Sequence, residues 1–294
     1  MTAVLLATGP VGLDRLETFA FGLDHAEGIA VTPAGDIYVG GEAGQLYRIV
    51  DDKPVEVAST GGFLLGLASD ALGRIYAIDN AAKTVWRYDP ATHGVTPYAT
   101  GPQGTPFRVP NWGAFDGHGN YYLTDSGDWM ADNGLIWLIR PGGHAAVWTR
   151  SSTSFPNGCC LSPDGSRLYV AESAPTGAVV EIEIRPDGSA GARRVLVDLG
   201  AAVPDGVACT ADGGLAIACY RPDVICHWHP VDGLKALAAD PRGTVIAAPT
   251  NVVFVGPGLE TLVVPNLGRW HLSRGELGVA GVPLNYPTAA QLGS

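Results

Sequence analysis

The sequence predicts an all-β fold: a six-bladed β-propeller of four-stranded antiparallel blades, forming one domain over residues 1–294. Three observations predict it. A strand–turn–strand pattern recurs six times, the composition favours tight turns over helices, and an unmatched strand-like segment stands ahead of the first repeat.

Each copy has an apolar run after a glycine, a turn with Asp or Gly, a second run usually containing Tyr, a polar link and a third run. The copies read GIAVTPAGDIYVGGEAGQLYRI from Gly28, GLASDALGRIYAIDNAAKTVWRY from Gly66 and GAFDGHGNYYLTDSG with GLIWLIR from Gly113. GCCLSPDGSRLYVAES follows from Gly158, GVACTADGGLAIACY from Gly206 and a degenerate VVFVGPGLETLVVPN from Val252. Successive offsets of 38, 47, 45, 48 and 46 residues fall in the propeller range. A fourth strand per unit precedes the next copy, as VEVAST, VTPYAT, AAVWT, RVLVDL and LKALAA. A similar segment, LETFAF over residues 16–21, has no preceding blade. It is expected to close the ring as the outer strand of blade six, which removes an exposed sheet edge.

Forty glycines and 22 prolines suit short strands and tight turns, and 46% hydrophobic residues supply a large core. The net charge of −11, with no cluster of Lys or Arg, excludes nucleic acid and anionic membranes as partners. No run of about 18 apolar residues is present to span a membrane. The segment from Met1 to Gly12 lacks the basic start and cleavage site of a signal peptide, so a cytoplasmic location is expected. Five cysteines, at 159, 160, 209, 219 and 226, show no CxxC spacing and read as free thiols. The partner is expected to be a small molecule; the sequence leaves the oligomeric state open, a monomer being compatible.

In a propeller the innermost strands surround the axis and start at one mouth, so residues at equivalent repeat positions converge. Immediately before the first strands stand His25-Ala26-Glu27, Phe63-Leu64-Leu65, Pro110-Asn111-Trp112, Pro156-Asn157, Pro204-Asp205 and Thr250-Asn251. Glu27, Asn111, Asn157, Asp205 and Asn251 therefore point at a common centre. Carboxylates and amide oxygens are hard ligands, suiting one divalent cation: Ca²⁺ foremost, with Mg²⁺, Mn²⁺ or Zn²⁺ also compatible. Two negative charges would balance such an ion.

On these motifs the chain resembles the SMP-30/gluconolactonase/luciferin-regenerating-enzyme family across nearly its whole length. HAEG with Glu27, PNG with Asn157 and PDG with Asp205 match that family's three protein metal ligands, and Asn111 matches its substrate- or water-contacting asparagine. The resemblance implies divalent-metal-dependent hydrolysis of lactones, with the Asp205 position serving also as general base. Asn251 adds similarity to phosphotriesterase- and paraoxonase-type propellers. Sugar-lactone relatives usually carry Arg-x-Asn-Asp in blade three, the arginine holding substrate hydroxyls. Here Arg108 lies one residue further from Asn111, and Trp112 replaces the acid. With Phe63, Leu64 and Leu65 in blade two, the mouth is partly apolar, and a less polar lactone or ester is expected. Arg108, Trp112, Leu65, Asn111 and Asn251 are thus the candidate substrate contacts.

The expanded link Asp125–Asn133, with Trp129 and Met130, is a candidate lid. His227 and His229 alternate on a third strand, away from the axis, and are not expected to bind metal. No GxSxG, HExxH, P-loop or GxGxxG followed by a helix is present. Two other readings remain open at this level: a strictosidine-synthase-type propeller using a catalytic acid, and a non-catalytic propeller binding a small ligand or protein.

Overall fold

The computed structural model describes residues 9–293, so the expectation about a leader segment falls largely outside the described residues. Period-two apolar patterning produces 24 strands in six four-stranded antiparallel sheets. After β1 (Leu16–Phe19), blade one holds β2 (Ile29–Val31), β3 (Ile37–Gly40), β4 (Gln45–Val50) and β5 (Lys53–Ser59). Blade two holds β6 (Leu64–Ser69), β7 (Ile75–Asp79), β8 (Thr84–Asp89) and β9 (Gly94–Thr100). Blade three holds β10 (Pro110–Phe115), β11 (Tyr121–Asp125), β12 (Leu135–Arg140) and β13 (His144–Thr149). Blade four holds β14 (Pro156–Leu161), β15 (Arg167–Glu172), β16 (Gly177–Ile184) and β17 (Ala190–Gly200). Blade five holds β18 (Val203–Cys209), β19 (Leu215–Arg221), β20 (Val224–His229) and β21 (Gly233–Ala239). Blade six holds β22 (Val253–Val255), β23 (Thr261–Asn266) and β24 (His271–Gly275).

The ring closes as the sequence predicts. β1 pairs antiparallel with β24, from Leu16 opposite Gly275 to Phe19 opposite Leu272. Leu16 and Phe19 are buried, and the Arg274 guanidinium lies 4.4 Å above the Phe19 ring while pairing with Glu17 and Asp52. The strand stops at Phe19, and Phe21 is largely exposed.

Because side chains alternate across each sheet, both faces of a blade pack on its neighbours and the core lies between blades. Tyr76 of blade two, for example, meets Phe115 of blade three edge to face, with centroids 4.9 Å apart. The repeat pattern assigns nothing to residues 276–293, which run as a strap over the turns joining first and second strands. The Ala211 and Gly281 N–H groups donate to Ala280 and Leu259 carbonyls, both at 2.8 Å. Tyr286 Oη donates to Val31 O at 3.0 Å, and the Ala71 N–H donates to Pro287 O at 3.0 Å. The strap ends in α1 (Ala289–Leu292), started by a Thr288–Gln291 capping box. Among the described residues, no helix is long and apolar enough to cross a membrane.

Candidate metal centre

Cross-strand pairing puts Ile29, Leu67, Gly113, Cys159, Val207 and Val253 on one level of the six inner strands, opposite Val39, Ala77, Leu123, Val170, Ile217 and Val263. Two residues upstream stand Glu27, Leu65, Asn111, Asn157, Asp205 and Asn251. Five of the six equivalent positions thus carry a side-chain oxygen, and Leu65 is the exception. In this register Trp112, not Gly113, aligns with Gly28, Gly66, Gly158 and Gly206, so the third repeat begins one residue earlier than its glycine suggested.

Those glycines set the spacing of the ring. A Cβ on Gly28 would lie 1.7 Å from the Leu65 carbonyl oxygen, and one on Gly66 2.8 Å from that of Asn111. A Cβ on Gly158 would lie 2.4 Å from the Asp205 carbonyl oxygen, and one on Gly206 2.6 Å from Asn251 Cα. The obstacle is each time the next blade's member of the ring, so glycine lets successive members approach.

Hydroxyl relays orient the asparagines. Asn111 Nδ2 donates to Ser126 Oγ at 3.0 Å, which donates to Pro156 O at 2.8 Å. Asn157 Nδ2 donates to Ser173 Oγ at 3.3 Å, which donates to Pro204 O at 2.6 Å. With its nitrogen engaged, Asn157 leaves a buried Oδ1 with no hydrogen-bond partner. Asn251 is turned the other way: its Oδ1 accepts the Val252 N–H at 2.6 Å and its buried Nδ2 is unpaired. It therefore presents a donor and not an oxygen. Carboxylates at the ends of second strands fasten the incoming loops behind the ring. Asp125 accepts the Arg108 and Val109 N–H groups at 2.8 and 2.7 Å, and Asp79 accepts that of Phe63 at 3.1 Å.

Asp205 is buried, and burial first, then the charge of Glu27, pushes its carboxyl well above the usual range; the Asn157 amide works against that rise. Burial, helped by the charge of Glu42, pushes Glu27 up to about 8. Two neighbouring carboxylates that resist ionisation, beside an amide oxygen with no donor, form a hard, electron-rich donor set. The chemistry of these donors fits a divalent cation, which Glu27, Asn157 and Asp205 would hold.

The family model described as the SMP-30/Gluconolactonase/LRE-like region matches residues 37–266. The chain belongs to this family. Among curated proteins, none matches the sequence significantly. Among solved structures, a gluconolactonase from Xanthomonas campestris is 19% identical with TM-score 0.76, covering 92% of this chain and 93% of that one. A calcium-binding regucalcin from Agrobacterium tumefaciens is also 19% identical, with TM-score 0.73, covering 91% and 98%. A luciferin-regenerating enzyme is 16% identical with TM-score 0.76, covering 95% and 100%. At these identities the likeness is one of fold.

Several residues around the mouth of this SMP-30/gluconolactonase/LRE-like propeller have defined partners. Arg108 is exposed and its guanidinium pairs with Asp128 of the expanded link. That link is tied to the segment leading into β14: Ser154 Oγ donates to Asp132 Oδ1 at 3.0 Å and the Gly134 N–H to Thr153 O at 3.0 Å. Trp129, 54% exposed, meets Phe155 edge to face at 4.8 Å, two residues before Asn157. The link therefore sets Trp129 against the segment that enters β14, just ahead of Asn157. Leu65 is buried, and Trp112 and the ring member Asn251 border the central channel.

Sequence reasoning missed one cluster at the rim. His25 Nδ1 lies 2.9 Å from Asp24 Oδ1 and 2.8 Å from Glu42 Oε2, and its ring meets Trp270 at 4.8 Å. These three donors could also hold a metal ion, being within 4.8 Å of one another. The hydrogen bond from His25 holds Asp24 below its usual range. His227, on β20, meets Thr210 Oγ1 at 3.1 Å and Asp212 in the β18–β19 turn of the same blade, a structural contact away from the ring. All five cysteines are free, with Cys160 and Cys209 Sγ atoms 3.6 Å apart.

Proposed function

We propose that the protein is a divalent-metal-dependent hydrolase that opens a lactone or related ester at the mouth of the channel. The observation that carries this reading is the partnerless, buried Asn157 Oδ1 in a ring that also carries two carboxylates whose ionisation is suppressed, a donor set that a cation would complete. Family membership supports the same reaction class. Calcium is the favoured ion, because the donors are all hard oxygens.

When bound, the cation supplies a Lewis acid that polarises the ester carbonyl and acidifies an attacking water. Asp205 takes the proton from that water as its oxygen attacks the carbonyl carbon, and returns it to the leaving alkoxide as the ring opens. Asn111, oriented by Ser126, holds the substrate or the attacking water. Asn251 offers its free amide N–H groups to substrate oxygen. Phe63, Trp129 and Phe155 shape an entrance suited to a substrate less polar than a sugar lactone, while Asp128 already occupies Arg108.

The test measures kcat with titrated Ca²⁺ on a panel of γ- and δ-lactones and aryl esters. Asp205→Asn is expected to lose about 10²- to 10⁴-fold in turnover even at saturating metal, since an amide cannot accept the proton. Asn157→Ala is expected to recover as metal is raised, because it loses affinity rather than proton transfer. Rescue of Asp205→Asn by saturating metal would leave Asp205 as a ligand only. Hydrolysis unaffected by chelator would overturn metal dependence.

A further inference from the structure

Three residues below the oxygen ring, the inner strands carry a second ring of equivalent positions: Ala30, Ala68, Ala114, Cys160, Ala208 and Phe254. Five of the six are small. Their cross-strand partners are Tyr38, Tyr76, Tyr122, Tyr169, Ala216 and Leu262. Within otherwise buried strand segments, Ala68, Ala114, Cys160 and Ala208 are each partly exposed, although both neighbours of each are buried. Their exposure is therefore not to bulk solvent but to the channel.

The small ring leaves a cavity of about 630 Å³. Trp112 and Asn251 border its upper end, and the strap residues Val282–Tyr286 border the lower one. The Tyr286–Val31 and Pro287–Ala71 hydrogen bonds hold the strap there. None of the described residues lining this cavity is charged, in a chain of net charge −11. Its volume falls within the range of about 300–1,000 Å³ found for small-molecule sites. Left dry, a void of this size would be costly, and water within it meets mostly carbon beyond the strand edges.

We propose that this chamber is a binding site for a neutral, largely apolar small molecule, entered from the face opposite the carboxylates and meeting the proposed catalytic mouth only at Trp112 and Asn251. Neutrality follows from the uncharged walls, since an ion would lose its hydration without a counter-charge. Apolar character follows from the alanine ring with Phe254 and Trp112. Thr32 and Ser162 also border the chamber, but their hydroxyls are engaged within their own turns, Thr32 Oγ1 by the Asp36 N–H at 3.1 Å and Ser162 Oγ by Asp164 and the Arg167 N–H, so these walls add no free polar group.

The experiment titrates the full chain with N-phenyl-1-naphthylamine, a neutral fluorophore that brightens in apolar surroundings. One saturable site per chain is expected. Ala208→Phe, which fills the chamber, should weaken binding at least tenfold, whereas Trp129→Ala at the mouth should leave it within twofold. Saturating probe should also slow the alkylation of Cys160 by a small neutral thiol reagent at least fivefold, read by mass spectrometry against Cys219 and Cys226, which do not line the chamber. That readout uses the native chain and decides the matter if Ala208→Phe fails to fold. Absence of probe binding, binding lost in Trp129→Ala but kept in Ala208→Phe, or unchanged Cys160 alkylation would each overturn the proposal. Loss of lactone hydrolysis in Asp205→Asn bears on the mouth alone, so the two readings fail separately.

Discussion

Replacing Gly158 by alanine adds one methyl group where two ring members meet. Gly158 has no positive φ, so backbone conformation does not penalise the change. The new Cβ would lie 2.4 Å from the Asp205 carbonyl oxygen and 2.6 Å from Gly206 Cα, both of them backbone. Ordinary van der Waals contact begins near 3.4 Å, so blades four and five must part by roughly 1 Å at the level of Asn157 and Asp205. A cation site tolerates ligand displacements of only about 0.2 Å. The expected result is a loss of Ca²⁺ affinity of about 10- to 100-fold, comparable to losing a group that orients a ligand. Isothermal titration calorimetry measures it, on protein whose circular dichroism matches the parent. Gly165→Ala is the control: its φ of +69° strains any side chain, but nothing lies within 4 Å of the new atom. It should cost about 1–2 kcal/mol of stability and leave affinity intact. Gly158→Ala with parental affinity would refute the idea that these glycines space the donors.

Three further outcomes follow from the same structure. Phe19→Ala should cost about 3–5 kcal/mol in urea denaturation, because Phe19 is 5% exposed and seals the ring, whereas exposed Phe21→Ala should stay within about 0.5 kcal/mol; equal effects would contradict closure by β1. Glu27 ionises near 4.5 in the unfolded chain but holds its proton to about 8 when folded, so its contribution to cation-free stability is full below pH 4.5 and is lost as pH rises towards 8. The Tm of the parent in chelator should therefore fall over that window relative to Glu27→Gln, and saturating Ca²⁺ should flatten the fall; a parent Tm that rises relative to the variant would contradict the shift. Trp129→Ala should raise KM for hydrophobic esters several-fold with kcat little changed; a loss confined to kcat would remove Trp129 from the substrate wall.

The six-fold period was legible because each blade repeats one solution to one packing problem. The oxygen ring was legible for the same reason, equivalent positions sharing one mouth. Where a residue departs from the repeat, legibility falls: Trp112 stands in the place of a glycine, and the pattern slipped by one residue there. The Asp24–His25–Glu42 cluster joins two turns of a single blade and has no counterpart in other copies to reveal it. Ser126 and Ser173 could be read as part of each second strand's end, but not as relays. Their role depends on a backbone carbonyl of the next blade, about 30 residues away. The strap has no periodicity at all, and its placement across the turns at the lower end of the channel is a tertiary fact.

The pairing of β1 with β24 also governs how the molecule comes apart. An open array of repeats frays from its ends, each unit leaving at the expense of one interface. Here there is no terminal unit, because the strand that begins the described fold completes the last sheet and every blade keeps two neighbours. Removing any blade breaks two interfaces at once, so partial unfolding finds no cheap first step. Amide hydrogen exchange in all six inner strands should then converge on one opening free energy, with local fluctuation confined to the loops at the mouth.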